Sequence, residues 1–295
     1  MHRIVSFLPA GTEIACAVGA GEFLVGRSHE CDYPPEVKSL PVVSRPALSI
    51  DGLSQPQVDR AVADRLKSGE SLYQVDEVLL RDLAPDIVLT QDLCQVCAPS
   101  GTELTRALKE LPTKPNVLWL TPQTIADIED NILEVGAATE RIEVAESLVA
   151  HNRSRIEAVR QAVLDVPRRR VVFLEWTDPL FCAGHWVPEM ITIAGGDDPL
   201  GKSGGDSVRM TWDEVREVNP EMIIVAPCGY GLDQARETAR AIPSVQGATV
   251  FAVDANAYFA RPGPRVAEGI ELLAHLLHPA RCAWAQDHQP WVQIA

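Results

Sequence analysis

Two stretches of this chain share the same local order, and that repetition constrains the fold more than anything else in it. "LLRDLAPDIVLTQDLC" (79–94) and "WDEVREVNPEMIIVAPCG" (212–229) each run amphipathic segment, proline, acidic residue, apolar run, then a loop with a cysteine. Proline cannot continue a helix, because it lacks an N–H and its ring clashes with the turn before it. The apolar run that follows has the length of a strand buried on both faces, as helix–strand alternation around a parallel sheet requires. The openings repeat too: "HRIVSFLPAGTEIACAVGAG" reads strand, loop, helix, glycines, and "RRRVVFLEWTDPLFCAGHWVPEMITIAGG" keeps that order with a longer loop. "NVLWL" and "ATVFAV" close each half with a strand before a further helix. The expected fold class is α/β, with two lobes, each built on a parallel sheet.

Between the halves, Thr121 and Pro122 form a good N-cap and N1 pair. From there to Pro167 there is no proline, and Gly136 is the only glycine. One helix is expected to about Gly136 and a second from about Glu140 to Leu164. The second would be about 37 Å long at ~1.5 Å per residue, enough to run along both lobes, and its stiffness implies modest lobe movement. The expected boundaries are residues 1–121 for the N-terminal lobe, 122–167 for the helical connector, 168–281 for the C-terminal lobe and 282–295 for a tail. "AWAQDHQPWVQIA" in that tail has no periodicity.

Charge and hydropathy remove whole classes of function. The 26 basic and 41 acidic residues leave a net charge of −15, which opposes binding to a phosphate backbone, so no nucleic-acid partner is expected. No apolar run approaches the roughly 20 residues of a membrane helix, so the chain is not expected to be membrane-embedded. "MHRIVSFLPAG" enters an apolar strand at once, without the pattern of a secretory leader. The expected location is cytoplasmic as the sequence stands, or periplasmic or otherwise extracytoplasmic if a leader has been removed. Seven cysteines, an odd set without small-scaffold spacing, suit a reducing compartment.

In open α/β sheets, ligands bind at loops beyond the carboxyl ends of the strands. Applied to both halves, this rule points the loops 9–13, 27–35, 91–100, 176–186, 227–231 and 254–265 at one cleft between the lobes. These loops carry the candidate ligand-binding residues Thr12, Glu13, His29, Glu30, Asp32, Tyr33, Asp92, Cys94, Trp176, Phe181, His185, Trp186, Tyr230, Tyr258, Phe259 and Arg261. The flat apolar faces of the aromatics suit a large, rigid ligand. Arg27, Arg45, Arg261 and Arg265 would make such a cleft locally basic within an acidic shell. Trp119, on a strand, is expected in the core. His275 and His278, at a helix end, suit contacts with the helix dipole. Two readings stand for His29: a hydrogen-bonded loop histidine, or a neutral imidazole that coordinates the metal of a bound cofactor.

Three motifs match a pattern and fail its context. "GDDPLGKS" (196–203) fits the P-loop expression, but a helix-like segment precedes it, "GGDSV" follows where a helix should start, and Asp197 and Asp198 would sit beside the phosphates. "GKSGG" in the same loop lacks the strand and helix of a nucleophile elbow. "GAG" at 19–21 follows a helix, not a strand, and reads as a C-cap with a turn. Cys94 and Cys97 have C-x-x-C spacing without a second pair. Two readings stand there as well: thiols that are structural or line a ligand, or metal and redox chemistry completed by Cys31, Cys228 and His29. The metal candidates are therefore His29, Cys94 and Cys97. No catalytic residue is assigned, because no base–nucleophile pair is set by local spacing.

"IVSFLPAGTEIACAVGAG", "VGRSHECDYPPEV", "LLRDLAPDIVL", "FLEWTDPLFCAGHWVPEMITIAGG", "TWDEVREVNPEMIIVA" and "YFARPGPRVAEGIELLAHLLHP" occur in this order. Together, over about residues 3–279, they resemble the cobalamin-binding members of the helical-backbone periplasmic binding proteins, a branch that also binds ferric siderophores and haem. The resemblance implies two Rossmann-like lobes joined by one long helix, and binding of a corrinoid between them without chemistry for presentation to an ABC importer. It implies aromatic contacts at Phe181 and Tyr258, with His29, Glu30 and Asp32 on the opposite wall. The family docks on its importer through a glutamate on each lobe; Glu103 matches the first, and Ala260 stands where the second is expected. The loop with Cys94 and Cys97 replaces a shorter, aromatic-bearing one. Three functions follow: a corrinoid-binding protein of importer type or an intracellular relative; the same fold binding haem or a ferric siderophore; or a metal- or thiol-dependent enzyme using Cys31, Cys94, Cys97 and His29.

Overall fold

The computed structural model describes residues 2–50, 52–91 and 102–294. The chain divides into two units, Met1–Pro122 with Ala126–Ala150, and Gln123–Ile125 with His151–Ala295.

The first unit contains β1 (Ile4–Ser6), α1 (Pro9–Ala17), β2 (Leu24–Ser28), β3 (Val42–Pro46), α2 (Gln55–Lys67), β4 (Tyr73–Val75), α3 (Glu77–Leu83), β5 (Ile87–Thr90), α4 (Thr102–Lys109) and β6 (Asn116–Trp119). Then come α5 (Ile125–Ala138) and α6 (Ile142–Ala162). The sheet order is β4-β3-β2-β1-β5-β6. All pairs are parallel except β3–β4, so a short antiparallel strand closes one edge of the expected parallel sheet. Val5, Phe7, Val43, Leu80 and Val88 form the heart of its core.

The second unit contains β7 (Arg169–Thr177), β8 (Leu180–Cys182), α7 (Val187–Ile193), β9 (Gly196–Asp197), α8 (Trp212–Glu217), β10 (Met222–Val225), α9 (Leu232–Arg240), β11 (Thr249–Val253), α10 (Ala255–Tyr258), α11 (Val266–Leu277) and β12 (Trp291–Ile294). Its order is β12-β11-β10-β7-β8, with β9 beside β7. The central three strands are parallel, and antiparallel β8 and β12 close the two edges. Val172, Leu174, Val215, Ile223 and Val225 lie at the centre of this core.

The repeated motif becomes the same structure twice. α3 leads through Pro85 into β5 beside β1, and α8 leads through Pro220 into β10 beside β7. In each, the residue before the proline has left the right-handed helix, Ala84 at φ 42° and Asn219 at φ 46°, since the proline ring behind it disfavours that conformation. Both helices also start on side-chain caps. Asp76 accepts the Leu79 N–H at 2.9 Å, and Thr211 and Glu214 form a reciprocal capping box.

Two expectations change. α5 begins at Ile125 and not at the Thr121–Pro122 pair, and the Ile125 N–H is satisfied by Glu189 Oε2 at 3.0 Å. The turn to α6 passes through Glu140 at φ 59°. α6 has 21 residues, about 31 Å, and the division between the units falls inside it, between Ala150 and His151.

The expected tail is instead part of the second sheet. β12 pairs with β11, Trp291 opposite Val253 and Ile294 opposite Val250, and the Asp254 N–H donates to the Pro290 carbonyl at 2.9 Å. Its run Trp-Val-Gln-Ile is too short to show a period, yet an exposed strand edge with unpaired backbone groups favours any extended neighbour. Among the described residues, no helix is long and apolar enough to cross a membrane.

Candidate functional site

In the first unit, the loop after β2 is braced from beneath. The Thr12 hydroxyl of α1 donates to the Cys31 sulfur at 3.0 Å, and Thr12, Glu13 and Cys31 are all buried. Arg27 donates through Nη1 to the Ser28 carbonyl at 2.9 Å and through Nη2 to the Lys38 carbonyl at 3.0 Å, so it shapes the loop as well as charging it. On this base Glu30, Asp32 and Tyr33 are exposed.

His29 is half-buried and oriented. Its backbone N–H donates to the Ser44 carbonyl at 3.2 Å, and its Nδ1 lies 3.1 Å from the same oxygen and 3.3 Å from Ser28 Oγ. A carbonyl only accepts, so Nδ1 carries the proton and Nε2 of the neutral ring holds the lone pair. Nε2 lies 3.7 Å from Glu30 Oε1.

Trp119, expected in the core, is 41% exposed at the carboxyl end of β6. β6 is an edge strand, and on an edge the side chain that alternates away from the packed face has no neighbouring strand to cover it. Trp119 thus joins the carboxyl-edge surface that sequence reasoning had assigned to loops alone. Asp92, Cys94 and Cys97 lie outside the described residues. Glu103 falls on α4, with its side chain outside them.

In the second unit, the carboxyl edge separates surface groups from packing groups. Trp176 of β7 and Tyr230 after β10 pair at 5.4 Å between ring centroids. Beside them Cys228 is exposed, and its N–H is held by the Glu175 carbonyl at 3.1 Å. Phe181 on β8 has the Arg209 guanidinium over its face at 5.4 Å. Trp186 is buried, its indole N–H donating to the Phe259 carbonyl at 3.0 Å, and Phe259 is buried edge-on against Phe173. Tyr258 and Arg261 are also buried, and Ala260 is half-buried. The apolar character that marked Trp186 and Phe259 for a ligand serves their own unit's core.

The glycine-rich loop after β9 is a clasp. Asp198 Oδ1 accepts the Leu200 and Gly201 N–H groups at 3.1 and 3.0 Å. Those amides are the ones a phosphate would need, and no helix follows until α8. Burial pushes the Asp198 carboxyl up to about 6. The loop closes on His185, whose N–H donates to the Gly205 carbonyl at 2.6 Å while its carbonyl accepts from Gly204 at 2.9 Å. Glu175 accepts from the Ser207 hydroxyl and from the Gly184 N–H. His185 has φ 53°, lies 3.6 Å through Nε2 from Asp206, and is shifted below the usual histidine range by burial. It belongs to this clasp.

His275 and His278 also have carbonyl partners, Cys282 at 2.9 Å and Gly195 at 3.1 Å. Among the described residues, no three His, Cys, Asp or Glu side chains gather as a metal-binding group.

Residues 4–257 match the model of a family described as periplasmic binding protein. An uncharacterized ABC transporter substrate-binding lipoprotein of Bacillus subtilis (strain 168) is 25% identical over 287 residues, covering 94% of this chain and 80% of that protein. A vitamin B12-binding protein of Vibrio vulnificus (strain CMCP6) is 22% identical over 274 residues, covering 92% of this chain and 88% of the relative. A periplasmic heme binding protein from Pseudomonas aeruginosa shares the fold at TM-score 0.68 and 18% identity, covering 100% of this chain and 98% of that one.

Proposed function

The chain belongs to the periplasmic binding protein family, and from that premise we propose that it binds a corrinoid, cobalamin or a close relative, through the carboxyl-edge loops described above. The observation that carries the reading is the likeness, over 92% of the chain, to a protein named for binding vitamin B12. The surfaces support it. Trp119 and Tyr33 in the first unit and the Trp176–Tyr230 pair in the second offer flat apolar faces, while Glu30 and Asp32 offer polar groups of the kind an amide-rich ligand rim requires. The protein binds and releases this ligand unchanged, and its partner is the permease of an ABC importer.

A second reading, haem in place of a corrinoid, draws on His29. An imidazole with Nδ1–H held by a backbone carbonyl presents Nε2 as a metal ligand, the second-sphere arrangement found around metal-bound histidines. That geometry serves cobalt and iron alike. Titration of the full chain with cobalamin, cobinamide and haem, by calorimetry and visible absorption, separates them. Saturable one-to-one binding of either corrinoid at micromolar concentration or below is the expected result. Binding of haem alone replaces the corrinoid with haem, and no binding by any of the three ends both readings.

A further inference from the structure

The segment before β12 sits at the carboxyl end of β11 and carries its own ring cluster. Trp284 stands edge-on to Tyr258, His288 and Trp291 at centroid distances of 6.1, 6.1 and 5.7 Å. Its indole N–H donates to the His288 carbonyl at 2.6 Å. With β12 paired into the sheet beyond it, this strap is anchored on both sides of His288.

The consequence falls on Tyr258. It was expected to offer its face to a ligand, yet only 4% of it is exposed. The His288 ring lies end to end with it, nearly coplanar at an interplanar angle of 19° and a centroid distance of 6.5 Å, and His288 Nε2 is 2.8 Å from the Tyr258 hydroxyl. His288 itself is exposed. A phenol that donates to Nε2 places the proton of the neutral imidazole on Nδ1. The strap therefore holds an exposed imidazole against a buried phenol, with Nε2 on the hydroxyl and Nδ1 on the other side of the ring.

Resting on the proposed function above, we infer that His288 is a ligand-contacting residue at the rim of the second unit. Its Nδ1–H donates a hydrogen bond to an oxygen on the ligand's periphery, and Tyr258 is the positioning residue behind it. The acceptor is an amide carbonyl if the ligand is a corrinoid and a carboxylate if it is haem; separate titrations with cobalamin and haem distinguish the two.

The test uses the full chain as wild type, His288→Ala, His288→Gln and Tyr258→Phe, with thermal unfolding as the control for folding. His288→Ala is expected to weaken binding about tenfold, the worth of one hydrogen bond in a partly dry site. His288→Gln, which restores an N–H donor, is expected to recover most of that loss. In Tyr258→Phe the imidazole nitrogen chemical shifts of His288 should change from the single Nδ1–H tautomer to a mixture. A folded His288→Ala that binds as wild type overturns the inference and leaves the proposed function standing. A Gln variant as weak as the Ala variant also overturns it, because the ring would then act by packing. If the wild type binds neither cobalamin nor haem, the proposed function and this inference fall together.

Discussion

The Nδ1 of His29 lies 3.1 Å from the carbonyl oxygen of Ser44, a main-chain acceptor supplied by the neighbouring strand. No side-chain substitution at position 44 removes that oxygen, so the tautomer of His29 is set by the sheet. With a cobalt or iron ligand bound, His29→Ala should weaken affinity about tenfold or more and shift the visible bands of the metal centre. Superimposable spectra for wild type and variant would exclude His29 from the metal.

Asp198 gives a pH dependence whose sign is unusual for a carboxylate. Its folded-state pKa is raised from 3.8 to about 6 by burial, so between these values the folded state holds a proton that the unfolded chain has lost. Stability contributed by this group is present below the lower value and declines as pH rises through the upper one, by about 3 kcal/mol in total. Urea unfolding of wild type and Asp198→Asn at about pH 4 and about pH 7 should show wild type losing ground at the higher pH. An unchanged difference between the two proteins would contradict the burial argument.

Gly184 lies under the clasp, where an added Cβ would meet the Ser207 nitrogen and stand 2.7 Å from the Asp206 carbonyl carbon. Backbone cannot swing aside as a side chain can, so Gly184→Ala should cost about 1–3 kcal/mol in denaturant unfolding. Gly231→Ala, with nothing within 4 Å of the new Cβ, is the control expected to change stability by less than about 0.5 kcal/mol.

Arg155 on α6 grips Glu271 on α11 with two parallel hydrogen bonds, 2.8 and 2.6 Å, and reaches Glu268 at 3.7 Å. The paired carboxylates hold its guanidinium above the usual range. Arg155→Ala should destabilise the protein by about 1–3 kcal/mol. Arg155→Lys should recover less than half of that, because an ammonium cannot reproduce the planar fork. Equal midpoints for the Lys variant and wild type would mean that charge alone matters.

The sequence does not separate covered from uncovered aromatics at the second unit's carboxyl edge, for a physical reason. Trp186, Tyr258 and Phe259 are aromatic residues on loops at a carboxyl edge, and on composition they look the same as Trp176 and Tyr230. Only packing separates them: Phe259 lies edge-on against Phe173 and Trp186 is tied to the Phe259 carbonyl, whereas Trp176 and Tyr230 lie against each other. Trp119 is the reverse case, since an edge strand and a central strand have the same local pattern. His288 and Trp284 carry no sequence signal of their own because a four-residue strand shows no periodicity; the one local mark of an extended segment is the proline ahead of the Trp-Val-Gln-Ile run.

The sequence alone determined the αβ alternation, its duplication and the rejection of the phosphate-binding motif, because these depend on residues near one another in the chain. Proline position, apolar run length and flanking context act over one or two turns. Which strand closes each edge, which aromatic is covered, and which nitrogen of His29 or His288 carries a proton depend on partners 15 and 30 residues away. Only the tertiary structure brings such partners into contact, because hydrogen bonds and ring contacts depend on distance in space and leave no local period in the chain.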